Sequence, residues 1–126
     1  MSMWWKASRQ GEESDDMRKD KPLFFTKHQL SRMAKRGMSK PIIQSVVEFG
    51  KWEKGDEPFS HIVEYKGIIV ILYEQRVQYN VSTCKLNREN TLKAEKMAKE
   101  LGMDFWKATH KIVKGIDFAE EIANIV

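Results

Sequence analysis

The spacing of apolar residues changes twice along this chain, and that change restricts the fold more than any other feature. Between residues 51 and 84 it runs at two, the period of a strand with one buried face. Lys51–Lys54 reads as a short first strand. Ser60–Lys66 alternates, Lys66-Gly67 turns tightly, and Ile68–Glu74 is the most apolar strand, expected to be central and covered on both faces. After a turn at Gln75-Arg76, Val77, Tyr79, Val81 and Thr83 alternate with Gln78, Asn80, Ser82 and Cys84. The expectation is an antiparallel meander of three to four strands.

On either side the period is helical. Thr26 is a good N-cap, with Gln29 three residues on to complete a capping box. His28, Arg32 and Arg36 follow at spacings of four and so project the same way, with Leu30, Met33 and Ala34 roughly opposite. Gly37 stops this helix, and Ser39 and Pro41 open a second, with Ile42, Ile43, Val46 and Val47 inward and Gly50 at its end. Beyond the strands, Asn87 or Asn90 caps a helix through Leu101, with Leu92, Met97, Ala98 and Leu101 as its buried positions. Gly102 ends it. Asp104 caps a helix carrying Phe105, Ala108, Ile112 and Val113, and a last one holds Phe118, Ile122 and Ile125.

The class is therefore α+β: two N-terminal helices on the meander, plus a C-terminal helical extension. The boundaries expected are a flexible charged lead-in at 1–22, an α+β domain at 23–86 and the extension at 87–126. Within the lead-in, Trp4 and Trp5 either pack back on the domain or meet a partner.

Charge narrows the function. The 126 residues carry a net charge of +4, which permits a polyanionic partner without demanding one. Residues 26–40 hold Lys27, Arg32, Lys35, Arg36 and Lys40 and no acid, so positive charge is concentrated around the first helix. A helix packed on one side and offering His28, Arg32 and Arg36 on the other suits a phosphate-bearing ligand. The plainer alternative is that the arginines are solvated or pair with Glu48 or Glu64. The single cysteine, Cys84, forms no intrachain disulfide and reads as an inert filler in a reducing compartment. The longest apolar run, Ile68–Tyr73, is six residues, too short to span a bilayer. A cytoplasmic protein without membrane contact is expected. No glycine-rich phosphate loop, GxSxG elbow or paired histidine or cysteine ligands occur, so neither a metal nor a cofactor is called for.

Residues 28–39, HQLSRMAKRGMS, resemble the signature of a small domain family of unknown function. Its signature is His, three residues, Arg-Met, two residues, Arg-Gly-Ile-Ser, with Met38 here in place of isoleucine. The Tyr65-Lys66-Gly67 turn into IIVILYE is similar to the segment that follows in that family. The resemblance covers about residues 25–86 and leaves out the lead-in and the C-terminal helices. It implies kinship with RelE/BrnT-like toxins of the barnase–EndoU–colicin–RelE ribonuclease fold.

RNA cleavage without a metal needs a base for the 2′-hydroxyl, an acid for the leaving oxygen and cations for the phosphorane. His28 and His61 could fill the proton roles, and Arg32 and Arg36 could clamp phosphate. Lys27, Lys35, Lys40, Asn80 and Ser82 are candidate nucleic-acid contacts, with Tyr65 helping to orient the substrate. His110, among Lys107, Lys111 and Lys114, reads as solvated.

The leading expectation is a toxin-like or phage-effector RNA-binding protein, with metal-independent endoribonuclease activity as its sharper form. The alternative is a non-enzymatic inhibitor that engages an antitoxin or a host defence complex through the basic helix and C-terminal arm. A third is a homodimer built through residues 87–126.

Overall fold

Cross-strand pairing sorts the side chains onto two unlike faces. The structure, a computed structural model, describes residues 21–125; Trp4, Trp5 and nearly all of the lead-in lie outside the described residues. The strands are β1 (Leu23–Phe24), β2 (Lys51–Lys54), β3 (Ser60–Tyr65), β4 (Ile68–Glu74) and β5 (Tyr79–Leu86). The helices are α1 (Lys27–Lys35), α2 (Lys40–Phe49), α3 (Arg88–Leu101), α4 (Phe105–Lys114) and α5 (Ala119–Ile125). The α+β class is as expected, but the sheet has five strands in the order β1-β5-β4-β3-β2. Strands β2 to β5 form the antiparallel meander, and β1 adds a parallel edge by pairing Leu23 with Tyr79 and Phe24 with Asn80. The first two helices therefore do not open the fold; they connect β1 to β2.

One cross-strand row joins Val63, Val70 and Cys84, and the next joins Tyr65, Ile68 and Leu86. Helix residues Met33, Ile43, Val46, Ala94, Ala108 and Val113, with Phe118 just before α5, close over this face in a single cluster. The C-terminal helices thus share a core with the first two. The other face carries Phe24, Ile62, Ile69, Ile71 and Tyr73, none of which joins that cluster. Strand β4 is consequently buried at alternate positions, not on both faces, because the helices pack on one side only.

The alternation expected in the last strand fails at a bulge. Leu72 pairs with Val81 and Ile71 with Thr83, so Ser82 is the extra residue and the inward parity changes there. Tyr79 and Val81 point inward before it, and Cys84 and Leu86 after it. Val77 lies outside the strand and is exposed.

Local signals place the helix ends. Thr26, Ser39, Asn87 and Asp104 each accept a backbone N–H in the first turn of α1 to α4. Gly102 ends α3 in the left-handed region. The inward stripe of α3 is Ala94, Met97 and Ala98, whereas Leu92 and Leu101, expected inside, are exposed. Small Ala94 lets α3 approach β5 and α4 closely. His110, expected to be solvated, is half-buried, with its ring lying against Gly37.

The β3–β4 hairpin also anchors the C-terminus. Lys66 and Gly67 both take positive φ, the geometry of a two-residue hairpin turn. Glu121 on α5 receives the Tyr65 hydroxyl at 2.6 Å and pairs with Lys66 at 2.7 Å. The Lys66 and Tyr65 hydrogen bonds hold its carboxyl down at about 2. A carboxylate depressed on folding contributes stability above its unfolded pKa, about 4.3, and that contribution is lost as pH falls through the folded value. Glu121→Gln should therefore lower the melting temperature at neutral pH and flatten its decline between about pH 4.5 and about pH 2. Thermal melts across that range check this, and an unchanged acid limb would contradict it.

Candidate functional site

Helix α1 ends against the edge of β5, and this junction shapes the site. Strand β1 covers β5 only at Tyr79 and Asn80, which leaves the edge open from Val81 onward. Arg36 is the C-cap of α1, one turn beyond Arg32, with which it lines the same hollows. It is 8% exposed, and its Nη1 donates to the Cys84 carbonyl on that open edge. Its guanidinium carbon lies 4.5 Å from the centroid of the Trp106 ring on α4, a cation–π contact worth about 0.5 to 2 kcal/mol. The Phe105 ring stands edge-on to Trp106 at 4.9 Å. Helix α4 brings both rings here because Asp104 caps it immediately before them.

A cleft of about 250 Å³ opens between these groups, with Arg32, Arg36, Phe105 and Trp106 as walls, Lys85 at β5 and Thr109 below. A second hollow of about 210 Å³, formed by Arg32, Lys35, Arg36 and Trp106, adjoins it. Positive charge here is not neutralised by any described carboxylate. The ion pairs formed among the described residues use Lys21, Lys51, His61 and Lys66, and neither Arg32 nor Arg36 has a carboxylate partner. Glu64, a candidate partner from the sequence, accepts from Asn87 instead. Burial first, and then the nearby Arg32 charge, push the Arg36 guanidinium below its ordinary pKa. Two cations held this close are relieved by an anion between them.

No family model, curated protein or solved structure matches this chain.

The structure brings Arg32 and Arg36 together but not every residue singled out with them. His28 is exposed one turn before Arg32 and does not line the cleft. His61 is elsewhere: its Nε2 lies 2.9 Å from Glu74 Oε1, and its ring packs against Trp52 and Tyr79. Glu74 also takes the Lys21 ammonium; burial opposes its charge, but the Lys21 and His61 hydrogen bonds hold its carboxyl below the usual range. Tyr79 and Cys84 lie five positions apart on β5, so this histidine is roughly 16 Å along the strand from the Arg36 contact.

Among the other candidates, Lys35 lines the second hollow, and Lys27 and Lys40 are exposed on the same helical layer, Lys40 over the Phe25 ring. Asn80 lies on the sheet face away from the core and accepts from Gln78, and Ser82 is exposed at the bulge. Tyr65 is engaged by Glu121. Burial pushes the Cys84 thiol up to about 11, with Gln29 and Arg36 opposing, so it remains protonated and inert near neutral pH.

Sequence reasoning passed over Trp106, Thr109 and Lys85. The one local signal was an aromatic pair, Phe105-Trp106, directly after a capping aspartate, of which only one ring can enter a core.

Proposed function

We propose that this protein binds single-stranded RNA, with the cleft between α1, α4 and the edge of β5 as the contact. The observation that carries the reading is a pair of arginines with no carboxylate partner among the described residues, beside an exposed indole. Guanidinium forks hold phosphate oxygens two at a time, and aromatic faces accept unpaired bases; together they are the parts of a single-strand binding groove. A cleft of about 250 Å³ has room for a base, and bases are free to enter such a space when they are unpaired. RNA is preferred to DNA on the resemblance of residues 25–86 to ribonuclease-fold domains, and a toxin-like or phage-effector role rests on the same resemblance.

Cleavage asks for two proton carriers at one phosphate. His28 stands beside Arg32, but His61 is bound to Glu74 at another part of the sheet. Binding without cleavage is therefore the expected behaviour.

Fluorescence anisotropy with a short labelled RNA, in chelator, tests this. Three or four phosphate contacts predict a single-strand salt slope of about −2 to −3, so affinity should fall roughly 20- to 50-fold over a fourfold rise in salt. The RNA should remain intact. Salt-independent binding, or none, would overturn the reading, and 2′,3′-cyclic phosphate ends would restore the ribonuclease.

A further inference from the structure

The cleft has two unlike lobes, and the difference between them points to the unit it recognises. The outer lobe, of about 210 Å³, is walled by Arg32, Lys35, Arg36 and Trp106 and is almost wholly cationic. The inner lobe, of about 250 Å³, shares both arginines and Trp106 but adds Leu86 and Phe105 and reaches Thr109. Thr109 is 1% exposed, and its Oγ1 is buried without a hydrogen-bond partner. A helical threonine can return its hydroxyl to the carbonyl one turn back; this one is left unbonded beneath an aromatic-walled space, where a base edge reaches it only as the side chains above it shift. A buried hydroxyl without a partner lowers stability, and a ligand offering a polar edge would satisfy it.

We infer that the inner lobe takes the base of the nucleotide whose phosphate occupies the outer lobe, with Trp106 against the ring face and the Thr109 hydroxyl bonded to the base edge. This rests on the RNA-binding reading above and adds that one nucleotide is held by its base as well as its phosphate, while the flanking phosphates are held by charge alone. Arg36 serves both lobes: it steadies the indole from one side and presents charge to the phosphate. A threonine hydroxyl both donates and accepts, so the lobe accepts carbonyl or amino edges and discriminates weakly among bases.

Competition against a bound, labelled single-stranded RNA tests the inference, using adenosine monophosphate, uridine monophosphate and inorganic phosphate as competitors. Both nucleotides should displace the RNA at concentrations at least tenfold below inorganic phosphate, since stacking adds to the shared phosphate contact, by about 1 to 3 kcal/mol in single-strand binding proteins. Thr109→Val keeps the side-chain shape and removes the hydroxyl. It should weaken nucleotide competition about 3- to 10-fold, leave inorganic phosphate unchanged, and melt at or above the wild-type temperature. Trp106→Leu should erase the advantage of nucleotide over phosphate. RNA binding in which nucleotides compete no better than phosphate, or in which Thr109→Val competes like wild type, overturns the inference and leaves the RNA-binding reading intact. No RNA binding by the wild type overturns both.

Discussion

Arg32→Glu is expected to weaken RNA binding by roughly 100-fold at low salt while leaving the fold unchanged. The substitution removes one charge-assisted contact, about 1.5 to 3 kcal/mol, and sets a negative charge beside the phosphate. It should also reduce the salt slope by about one contact's worth. Arg32 is the informative position because its exposed side chain has no hydrogen bond or ion pair among the described residues. Surface replacements of that kind usually shift stability by no more than about 0.5 kcal/mol. Arg36 is a poorer probe, since removing it also strips the Cys84 carbonyl of its donor and Trp106 of its support. Anisotropy titrations at two salt concentrations, alongside a thermal melt, check the prediction. Wild-type affinity in Arg32→Glu would mean that the RNA lies elsewhere.

The second large effect concerns the frame that holds α2 against the sheet. Gly50 follows α2 directly, its N–H donates to the Val46 carbonyl at 2.8 Å, and β2 begins at the next residue. A methyl group there would lie 2.4 Å from the Val46 carbonyl oxygen, 2.8 Å from the Glu64 carbonyl oxygen and 2.9 Å from a Val63 methyl. Two of these are backbone atoms fixed by a helix and a sheet, so the strain has no inexpensive outlet. Gly50→Ala should cost roughly 3 kcal/mol or more and lower the melting temperature by on the order of 10 °C. Gly102→Ala is the contrast. Its φ is +63°, but no atom lies within 4 Å of the added carbon, so the expected cost is about 1 kcal/mol of backbone strain alone. Denaturant or thermal melts of the pair decide it; equal losses would show that packing at Gly50 is not the cause.

What the chain reveals about itself follows how far apart the interacting residues lie. Thr26, Ser39 and Asp104 cap the helices they precede, and Lys66-Gly67 makes its hairpin, because each signal acts within a few residues. The parallel pairing of β1 with Tyr79 and Asn80 spans more than fifty positions and involves two residues of each strand, too little pattern to read locally. The bulge at Ser82 is hidden for another reason: Thr83 and Cys84 are both plausible inward residues, and only the neighbouring strand decides between them. At the site, the spacing of four placed Arg32 correctly on the open side of α1. Arg36, next in that row, is the C-cap within reach of the β5 edge, and it is buried where Arg32 is exposed. Gln29 takes an inward position instead, and Ala34, expected inside, is exposed. Trp106 and Thr109 reach the cleft only through the packing of α4 on α1, which no local pattern announces.

The most direct test of the account is to titrate isotope-labelled protein with single-stranded RNA and follow its nuclear magnetic resonance signals residue by residue. The account predicts that the largest shifts fall on Arg32, Lys35, Arg36 and Thr109 and on the Trp106 indole, with His61 and the Glu121 cluster unmoved. Shifts concentrated instead on Phe24, Ile71 and Tyr73, across the open face of the sheet, would contradict it.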